Sequence, residues 1–452
     1  MRKLFGTDGI RGVAGDFPLD SDTVFIIGQA LGHQLAKKEA RPRVVMGQDT
    51  RESSSWIADT VAAGLASLGI LVESAGVVTT PAVAYLARSR KLSAGVVVSA
   101  SHNPWTDNGI KVFGGDGYKL PDALELEIER EIFQILEKTD AAAEPPPPPV
   151  VTLPGAEELR RAYDDWLAQS IARPKLGGLS IVGDCAHGAA CTVAPPLFCA
   201  LGLNAEFLYT EPNGQNINEN CGALHPEVVA RAVVERKAGL GVCFDGDADR
   251  ALFADAHGNV VNGDAVLLLI ARDMKARGAL VGDTVVATTM SNMGLEAALK
   301  RSGIRMMRAP VGDKYVLEEM QKCGARLGGE QSGHIIFADQ ATTGDGLLTA
   351  LRVLDVMARS GKPLAELVAD LKVFPQTIKN VRVREKRSLE EIPEIARAIQ
   401  EAERQLDGNG RVVVRYSGTE PLARVMVEAE SEAEMHRHAD AIATAIHKAL
   451  GA

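Results

Sequence analysis

The stretch DGDADR, Asp245 to Arg250, sets three carboxylates at alternate positions directly after the apolar run Gly241–Phe244. Such side chains point to one side of an extended segment or converge in a tight loop. Three neighbouring anions repel one another unless a cation neutralises them, and oxygen ligands suit a hard ion such as Mg²⁺. We therefore predict that Asp245, Asp247 and Asp249 bind one Mg²⁺. A solvated acidic turn is the alternative.

Two other types of site place acidic residues at a similar spacing. A calcium loop of the EF-hand type requires glycine at its sixth position and glutamate at its twelfth, where this chain has Arg250 and Ala256. Phosphatases of the haloacid dehalogenase type also place DxD after an apolar strand, and their first aspartate is the nucleophile. They usually carry Thr or Val where this chain has Asp249. That match is partial, and the interpretation stays open.

The stretch ASHNPWTDNGIK, Ala100 to Lys111, follows a second apolar run, Ala94–Val98. Ser101 is a candidate nucleophile, helix cap or ordinary loop residue. Adjacent side chains on an extended segment point in opposite directions. We therefore do not expect His102 to act as the base of Ser101.

Two further motifs have the residue types for binding a sugar phosphate. RYSGTEPLAR, Arg415 to Arg424, combines two arginines with a Gly-containing turn whose N–H groups can hold a phosphate. A hairpin or helix-entry turn is an equal alternative. GEQSGH, Gly329 to His334, alternates Glu330, Ser332 and His334 and so can direct all three to one cleft. Taken alone, it is better explained as a polar loop with a hydrogen-bonded histidine.

Two turns near the N-terminus have simpler interpretations. GTDGIRG isolates Arg11 between glycines, as in an anion-binding turn or a surface turn. In GQDTRESS, Gly47 to Ser54, we expect Asp49 or Thr50 to cap the helix that follows.

Composition limits the class of protein. The 452 residues are 46% hydrophobic and 24% charged, with a formal net charge of −10. These values suit a soluble globular chain and argue against a nucleic-acid partner. A spanning segment or secretory signal is not expected, and six cysteines without a CxxC pair suit a reducing compartment. We predict a cytoplasmic protein with no membrane partner. A homodimer is compatible with the sequence, which does not fix the oligomeric state.

Apolar runs and helical periodicity alternate along most of the chain, which predicts repeated α/β units. The proline run Pro145–Pro149 indicates a semi-rigid connector, with an SH3-type ligand as the alternative. After Val373-Phe374-Pro375, two strand-like runs flank one helical stretch. This tail is typical of a small separate α+β domain.

With these motifs in view, the chain resembles the α-D-phosphohexomutase superfamily over essentially its whole length. The resemblance is carried by FGTDGIRG, SASHNP…NGIK, FDGDADR, GEQSGH and RYSGTEP. It implies an α/β multidomain fold: three related α/β/α domains with mixed sheets and a C-terminal TATA-box-binding-protein-like α+β domain, around a central cleft. We expect domains at 1–150 with a phosphoserine loop, 151–254 with a metal loop, 255–371 with a sugar-binding loop and 372–452 with a phosphate-binding loop.

The resemblance also implies residue roles. Ser101 matches the serine that carries a phosphoryl group, and its phosphate oxygen completes the Mg²⁺ site of the three aspartates. Arg250 matches the arginine beside that site, and Glu330 and Ser332 match the readers of sugar hydroxyls. The distal phosphate is matched by Arg415, Ser417, Gly418, Thr419 and Arg424. Candidates for acid–base help near the reacting oxygens are Lys111, His334 and Arg11.

Two segments, Asn213–Glu227 and Thr288–Glu296, resemble the branch of the superfamily that acts on glucosamine phosphates. The implied reaction interconverts glucosamine 6-phosphate and glucosamine 1-phosphate through a phosphoserine enzyme and a 1,6-bisphosphate, supplying UDP-N-acetylglucosamine and cell-wall precursors. The alternative within the superfamily is phosphomannomutase/phosphoglucomutase activity, and Gln331 favours the glucosamine branch. A non-catalytic sugar-phosphate sensor is a third class. Departures at Gln48 and at Thr79-Thr80-Pro81 are expected to leave the core chemistry untouched.

Overall fold

A computed structural model describes residues 4–6, 8–138, 155–171, 176, 178–416 and 422–451. Within these, the chain forms two compact units. One comprises residues up to 289 together with 307–368, and the other comprises 290–306 together with residues from 369 onward. The predicted connector Pro145–Pro149 lies outside the described residues, as do Ser417, Gly418 and Thr419.

The first sheet has six described strands in the order β1-β2-β6-β5-β3-β4. Its all-buried strand β5 is the apolar run AGVVV, as expected for a strand covered on both faces. The elements are β1 (Phe5–Gly6), β2 (Gly9–Val13), α1 (Ser21–Ala36), β3 (Arg43–Gln48), α2 (Glu52–Ala66), β4 (Leu71–Val77), α3 (Thr80–Ser89), β5 (Ala94–Val98), β6 (Asp107–Gly114) and α4 (Asp122–Leu136).

The second sheet joins five strands of the described chain in the order β11-β10-β9-β7-β8. Strand β9, LGVCF, is buried at every position and leads directly into the DGDADR motif. The hairpin from β10 to β11 spans the predicted domain boundary between 254 and 255. The elements are α5 (Ala156–Gln169), β7 (Ser180–Asp184), α6 (Ala194–Ala200), β8 (Asn204–Leu208), α7 (Pro226–Arg236), β9 (Leu240–Phe244), β10 (Ala251–Asp255) and β11 (Val260–Val261).

The third sheet contains, in the described ranges, four strands in the order β13-β12-β14-β15. Helix α11 begins at the side-chain cap of Asp345, which accepts a hydrogen bond from the Leu348 N–H at 2.9 Å. The elements are α8 (Gly263–Ala276), β12 (Thr284–Thr288), α9 (Met293–Arg301), β13 (Arg305–Ala309), α10 (Asp313–Cys323), β14 (Leu327–Gly329), β15 (Ile335–Phe337), α11 (Gly346–Ser360) and α12 (Leu364–Val368).

These three sheets share one strand order, which confirms the predicted set of three related α/β domains. The common order is β6-β5-β3-β4 in the first sheet, β10-β9-β7-β8 in the second and β15-β14-β12-β13 in the third. Each sheet thus contains a repeated set of four strands, and, counted along the chain, the third strand of the set pairs in parallel with the first. The fourth strand then returns antiparallel to the third. The sheets are therefore mixed, as expected.

The C-terminal part forms a separate antiparallel sheet in the order β16-β18-β17, among the residues described there. Its strands are β16 (Gln376–Arg382), β17 (Gly410–Tyr416) and β18 (Leu422–Ala429), and its helices are α13 (Pro393–Leu406) and α14 (Glu432–Leu450). Buried side chains of both helices and the sheet form one hydrophobic core, which confirms the small α+β domain. None of the described helices is both long and apolar enough to cross a membrane.

Candidate functional site

Three polar loops occupy equivalent positions in the three related sheets. Each loop connects the third strand of the repeated unit to its antiparallel fourth strand. We name the residues that join β5 to β6 the serine loop (99–106), those that join β9 to β10 the acidic loop (245–250), and those that join β14 to β15 the third loop (330–334). All three lie in the first compact unit. Contacts of the acidic loop with the serine loop and with the third loop bring together motifs that are more than two hundred residues apart in the chain.

Ser101 in the serine loop is buried and directed at the acidic loop. Its hydroxyl donates a hydrogen bond to Asp245 Oδ2 at 2.6 Å. Its φ is +53°, so the chain is not extended there. The hydroxyl consequently also lies 3.3 Å from Nδ1 of His102, and the expectation that these neighbours point apart is wrong. Burial, with the charges of Arg250 and Arg11, lowers the pKa of His102 to about 4, so this ring is neutral at pH 7.

The acidic loop gathers three buried carboxylates. One oxygen each of Asp245, Asp247 and Asp249 lies within 4.8 Å of the others. Burial raises the pKa of Asp245, and the negative charges of Asp249 and Asp247 raise it further. Oδ1 of Asp247 and Oδ1 of Asp249 are buried without a hydrogen-bond partner in the described part of the chain. A donor set of closely spaced, unsatisfied oxygens fits a hard divalent cation.

Basic side chains flank this cluster. Nζ of Lys111, which is 1% exposed, lies 2.8 Å from Asp247 and 2.9 Å from Asp8. Burial acts to lower the pKa of Lys111, but the carboxylates of Asp247, Asp8 and Asp249 outweigh it and hold the pKa well above its usual range. Nε of Arg250 lies 3.7 Å from Asp249 Oδ1. Lys111 therefore remains protonated and offsets part of the negative charge.

Thr80 belongs to the site although the sequence did not indicate it. Its hydroxyl donates to Asp247 Oδ2, and its backbone N–H donates to the carbonyl of Asp247 at 3.0 Å. Thr80, part of the Thr79-Thr80-Pro81 departure, therefore contacts one of the three aspartates, and that the departure leaves the core chemistry untouched stays a prediction. The only available signal was a Thr-Thr-Pro helix start, which predicts the cap made by Thr79 but not a partner for Thr80.

The predicted cap of α2 is also wrong. The helix begins at Glu52, and the residue before it, Arg51, makes no side-chain cap. The Asp49 carboxylate instead accepts from the Arg51 N–H at 3.0 Å and the Ser54 hydroxyl at 2.7 Å, and it pairs with the Arg51 guanidinium. Thr50 donates its hydroxyl to the carbonyl of His187 in the second sheet's domain at 2.5 Å. Asp49 therefore holds Arg51 in place, and Thr50 links the turn after β3 to the second sheet's domain.

In the third loop, His334 faces the acidic loop. Its Nδ1 lies 3.5 Å from Asp249 Oδ2, and the N–H of Gly344 donates to its Nε2 at 2.9 Å. In the neutral ring Nε2 accepts the Gly344 bond and Nδ1 carries the proton beside Asp249, whereas in the imidazolium both nitrogens carry protons. Burial lowers the pKa of His334, but Asp249, Asp313 and Glu330 outweigh it and raise the pKa to about 9. A proton that arrives at Nε2 breaks the Gly344 bond and is stabilised by Asp313, 3.6 Å away.

Glu330 and His334 line one cavity, whereas Ser332 contacts Glu330 and is not among the residues that line it. The Ser332 hydroxyl donates to Glu330 Oε2 at 3.4 Å, and Glu330 Oε1 accepts from the Gly312 N–H at 3.1 Å. Arg11 donates to the Ala100 carbonyl and to Asn103 Oδ1, both at 3.3 Å. A cavity of about 390 Å³ is lined by Leu4, Gly6, Asp8, Gly9, Arg11, His102, Asp249, Arg250, Val311, Gly312, Asp313, Glu330 and His334. Its size suits a small polar ligand.

The second compact unit carries the predicted phosphate-binding motif. Arg415 on β17 stands directly opposite Arg424 on β18. Their neighbours Ala423 and Val425 are buried in the core, so the two arginines lie on the outer face of the sheet. Like charges at directly opposite positions destabilise a sheet, and this arrangement is typical of an anion-binding surface.

Four family models match consecutive parts of the chain. They are described as phosphoglucomutase/phosphomannomutase α/β/α domain I (residues 2–139), domain II (161–258), domain III (262–374) and C-terminal domain (378–445). Together they cover most of the sequence, in the order expected of four domains.

Curated relatives match over the whole chain. A phosphoglucosamine mutase of Koribacter versatilis is 62% identical, covering 100% of this chain and 98% of the relative, and one of Solibacter usitatus is 54% identical, covering 100% and 99%. Among solved structures, a phosphoglucomutase/phosphomannomutase family protein from Burkholderia thailandensis has a TM-score of 0.77 at 25% identity and 99% coverage of both chains. N-acetylphosphoglucosamine mutase of Aspergillus fumigatus, solved with GlcNAc-6P and magnesium, has a TM-score of 0.64 at 19% identity, covering 99% of this chain and 96% of that one.

Proposed function

Because the chain belongs to the phosphoglucomutase/phosphomannomutase family, we propose that it is an isomerase that interconverts glucosamine 6-phosphate and glucosamine 1-phosphate. The full-length relatives with the name phosphoglucosamine mutase support this substrate. The observation that carries the proposed chemistry is the buried Ser101 hydroxyl, 2.6 Å from Asp245 in a cluster of three carboxylates. A hydroxyl in that position is suited to carry a phosphoryl group beside a bound cation.

We propose that Asp245, Asp247 and Asp249 hold one Mg²⁺, with an oxygen of phosphorylated Ser101 as a further ligand. The two carboxylate oxygens without hydrogen-bond partners support this assignment. When bound, the ion supplies positive charge against the oxygens of the transferred phosphoryl group. Thr80 fixes the orientation of Asp247 by its hydrogen bond, and a bond of this kind to a metal ligand strengthens binding of the metal.

In the proposed cycle, phosphorylated Ser101 gives its phosphoryl group to the free sugar hydroxyl of either monophosphate. The sugar hydroxyl loses its proton and its oxygen forms a bond to phosphorus, while the bond to the serine oxygen breaks and that oxygen takes up a proton. The product is glucosamine 1,6-bisphosphate. After the bisphosphate has turned round, its other phosphoryl group returns to Ser101. The released monophosphate is the isomer of the starting sugar, and the enzyme is again phosphorylated.

The remaining side chains have roles in binding and proton transfer. Arg11 and Arg250 line the 390 Å³ cavity and supply positive charge to phosphate. Glu330 and Ser332 accept and donate hydrogen bonds to sugar hydroxyls. His334 is the group best suited to hold a proton, at Nε2, whereas the high pKa of Lys111 suits a fixed cation. We propose that Arg415 and Arg424, with Ser417, Gly418 and Thr419, bind a substrate phosphate.

The decisive test is the phosphoserine. Intact mass before and after phosphatase treatment should show the loss of one phosphoryl group, and Ser101→Ala should remove both that group and nearly all mutase activity. Turnover of Ser101→Ala near the wild-type rate would refute the proposal. An acyl phosphate on Asp245, the haloacid dehalogenase alternative, would instead be released by hydroxylamine.

The second candidate is phosphomannomutase/phosphoglucomutase activity, which the names of the four matching family models favour. Turnover is compared on glucosamine 6-phosphate, mannose 6-phosphate and glucose 6-phosphate at equal concentrations. We expect the highest kcat/KM on glucosamine 6-phosphate. A preference for the mannose or glucose phosphate would select the second candidate.

A further inference from the structure

The backbone of the serine loop is held from two sides at once. The Ser101 carbonyl accepts hydrogen bonds from the Arg51 guanidinium and from Asn218 Nδ2, both at 3.0 Å. The Asn103 carbonyl accepts from the same two groups, at 2.6 Å and 3.3 Å. Two donors therefore bridge one pair of carbonyls, and neither donor belongs to the loop that they hold.

This loop needs such support because Ser101 has a φ of +53°. A non-glycine residue is rarely stable in the left-handed region unless its surroundings impose it. The Ser101 N–H is also fixed, since it donates to the Ser99 hydroxyl at 2.9 Å. The conformation that directs the Ser101 hydroxyl at Asp245 thus depends on hydrogen bonds to both the N–H and the carbonyl of Ser101.

The two donors are themselves held in place. Arg51 is 2% exposed and its guanidinium pairs with Asp49, whose N–H donates to the Val98 carbonyl at 3.0 Å. Asn218 is 7% exposed, and its N–H donates to the Ala186 carbonyl at 2.9 Å. Arg51 precedes α2 beside the first sheet, whereas Asn218 lies between β8 and α7 of the second. The serine loop therefore accepts hydrogen bonds from residues of two domains.

We propose that Asn218, together with Arg51, is a positioning residue that sets the phosphoryl-transfer geometry of Ser101. This inference rests on the proposed function, because it assigns a role relative to phosphorylated Ser101. Asn218 makes this geometry depend on the docking of the second domain against the first. It does not line the 390 Å³ cavity, so its effect falls on transfer and not on sugar binding.

The test uses Asn218→Ala, which removes the donor, and Asn218→Asp, which keeps the shape but points carboxylate oxygens at two carbonyls. The matched control is Asn204→Ala, an exposed asparagine on β8 of the same domain. For both Asn218 variants we expect kcat to fall about tenfold or more, the effect of losing a buried hydrogen bond at a reacting group, with KM for glucosamine 6-phosphate within about twofold. Rapid-quench intact mass should show slower phosphorylation of Ser101 by glucosamine 1,6-bisphosphate.

A ³¹P NMR spectrum of the phosphorylated protein provides a readout that does not depend on turnover. We expect a shifted or broadened phosphoserine resonance in the Asn218 variants and an unchanged one in Asn204→Ala. Melting curves establish that each variant is folded at the assay temperature, and the isosteric Asn218→Asp is informative where the alanine variant is not folded.

Three results would overturn the inference: kcat within twofold of the control, a rise in KM at constant kcat, or an unchanged resonance despite a loss of activity. Activity retained in Ser101→Ala would instead overturn the proposed function itself, so the two failures are distinguishable.

Discussion

Replacing Gly246 by alanine puts a methyl group against the backbone of the serine loop. The new Cβ would lie 2.5 Å from the Ser101 carbonyl oxygen, 2.9 Å from Ile217 Cδ1 and 3.0 Å from Asn218 Nδ2. Ordinary contact begins at 3.4 Å, so the carbonyl must move by about 0.9 Å. That carbonyl belongs to the residue whose hydroxyl faces Asp245, and the displacement is passed directly to the reacting group.

Two magnitudes follow from this displacement. Overpacking of a tight contact costs about 1–3 kcal/mol of folding free energy. A misplacement of about 1 Å at a reacting centre lowers the rate roughly 100-fold. We therefore expect Gly246→Ala to fold with a modestly lower melting temperature and to lose about two orders of magnitude in kcat, measured by conversion of glucosamine 6-phosphate at saturating Mg²⁺.

Gly241→Ala is the matched control on the strand that leads to the same loop. Its Cβ would meet Val233 Cγ2 at 2.7 Å and Ala254 Cβ at 3.1 Å, which are core side chains without contact to Ser101. We expect a comparable loss of stability with kcat almost unchanged. Equal kcat values for the two variants, whether both high or both low, would refute the reasoning, because the effect would then not depend on the approach to Ser101.

Three other predictions follow from single contacts. Thr80→Val removes the hydroxyl that donates to Asp247, and we expect the Mg²⁺ concentration for half-maximal activity to rise about tenfold, with Thr80→Ser restoring it; equal Mg²⁺ titrations for Thr80→Val and wild type would contradict this. Burial raises the pKa of Asp184 to about 6 from an ordinary value near 3.8, so the folded state binds the proton more tightly than the unfolded state does. The free energy of unfolding therefore falls as pH rises from about 4 to 6. Asp184→Asn should flatten the slope of melting temperature against pH, and a retained slope would assign it to another group. Arg415→Gln should raise KM for glucosamine 6-phosphate at least tenfold without lowering the melting temperature, because it also removes the repulsion from Arg424; a fall in stability with KM unchanged would make the arginine structural.

The fold was largely predictable because its strands are short apolar runs that end in turn residues. Strands β5 and β9 are buried along their full length and are directly visible in the sequence as AGVVV and LGVCF. The rhythm of such runs predicted repeated α/β units. It could not predict that three loops are topologically equivalent, because this depends on which strands pair, and pairing is set by contacts distant in the chain.

The candidate site was predictable where chemistry requires a residue type, as in the three aspartates of the acidic loop. It was not predictable where a residue acts by supporting another one. Thr80 and Asn218 donate hydrogen bonds to groups 167 and 117 residues away, and polar side chains of this kind are common in every loop. The left-handed conformation of Ser101 was missed for the same reason, because partners from other segments impose it.

The short distance from Ser101 to Asp245 also makes two equilibria interdependent. A phosphoryl group on that hydroxyl adds about −1.5 to −2 charges at pH 7, next to three carboxylates that already repel one another. On the proposed function, the added charge strengthens cation binding, and reciprocity requires the cation to favour the phosphorylated serine by the same factor. The fraction of the protein that carries phosphate on Ser101 therefore depends on the concentration of the divalent cation. Depletion of divalent cations should discharge the serine as well as slow the reaction.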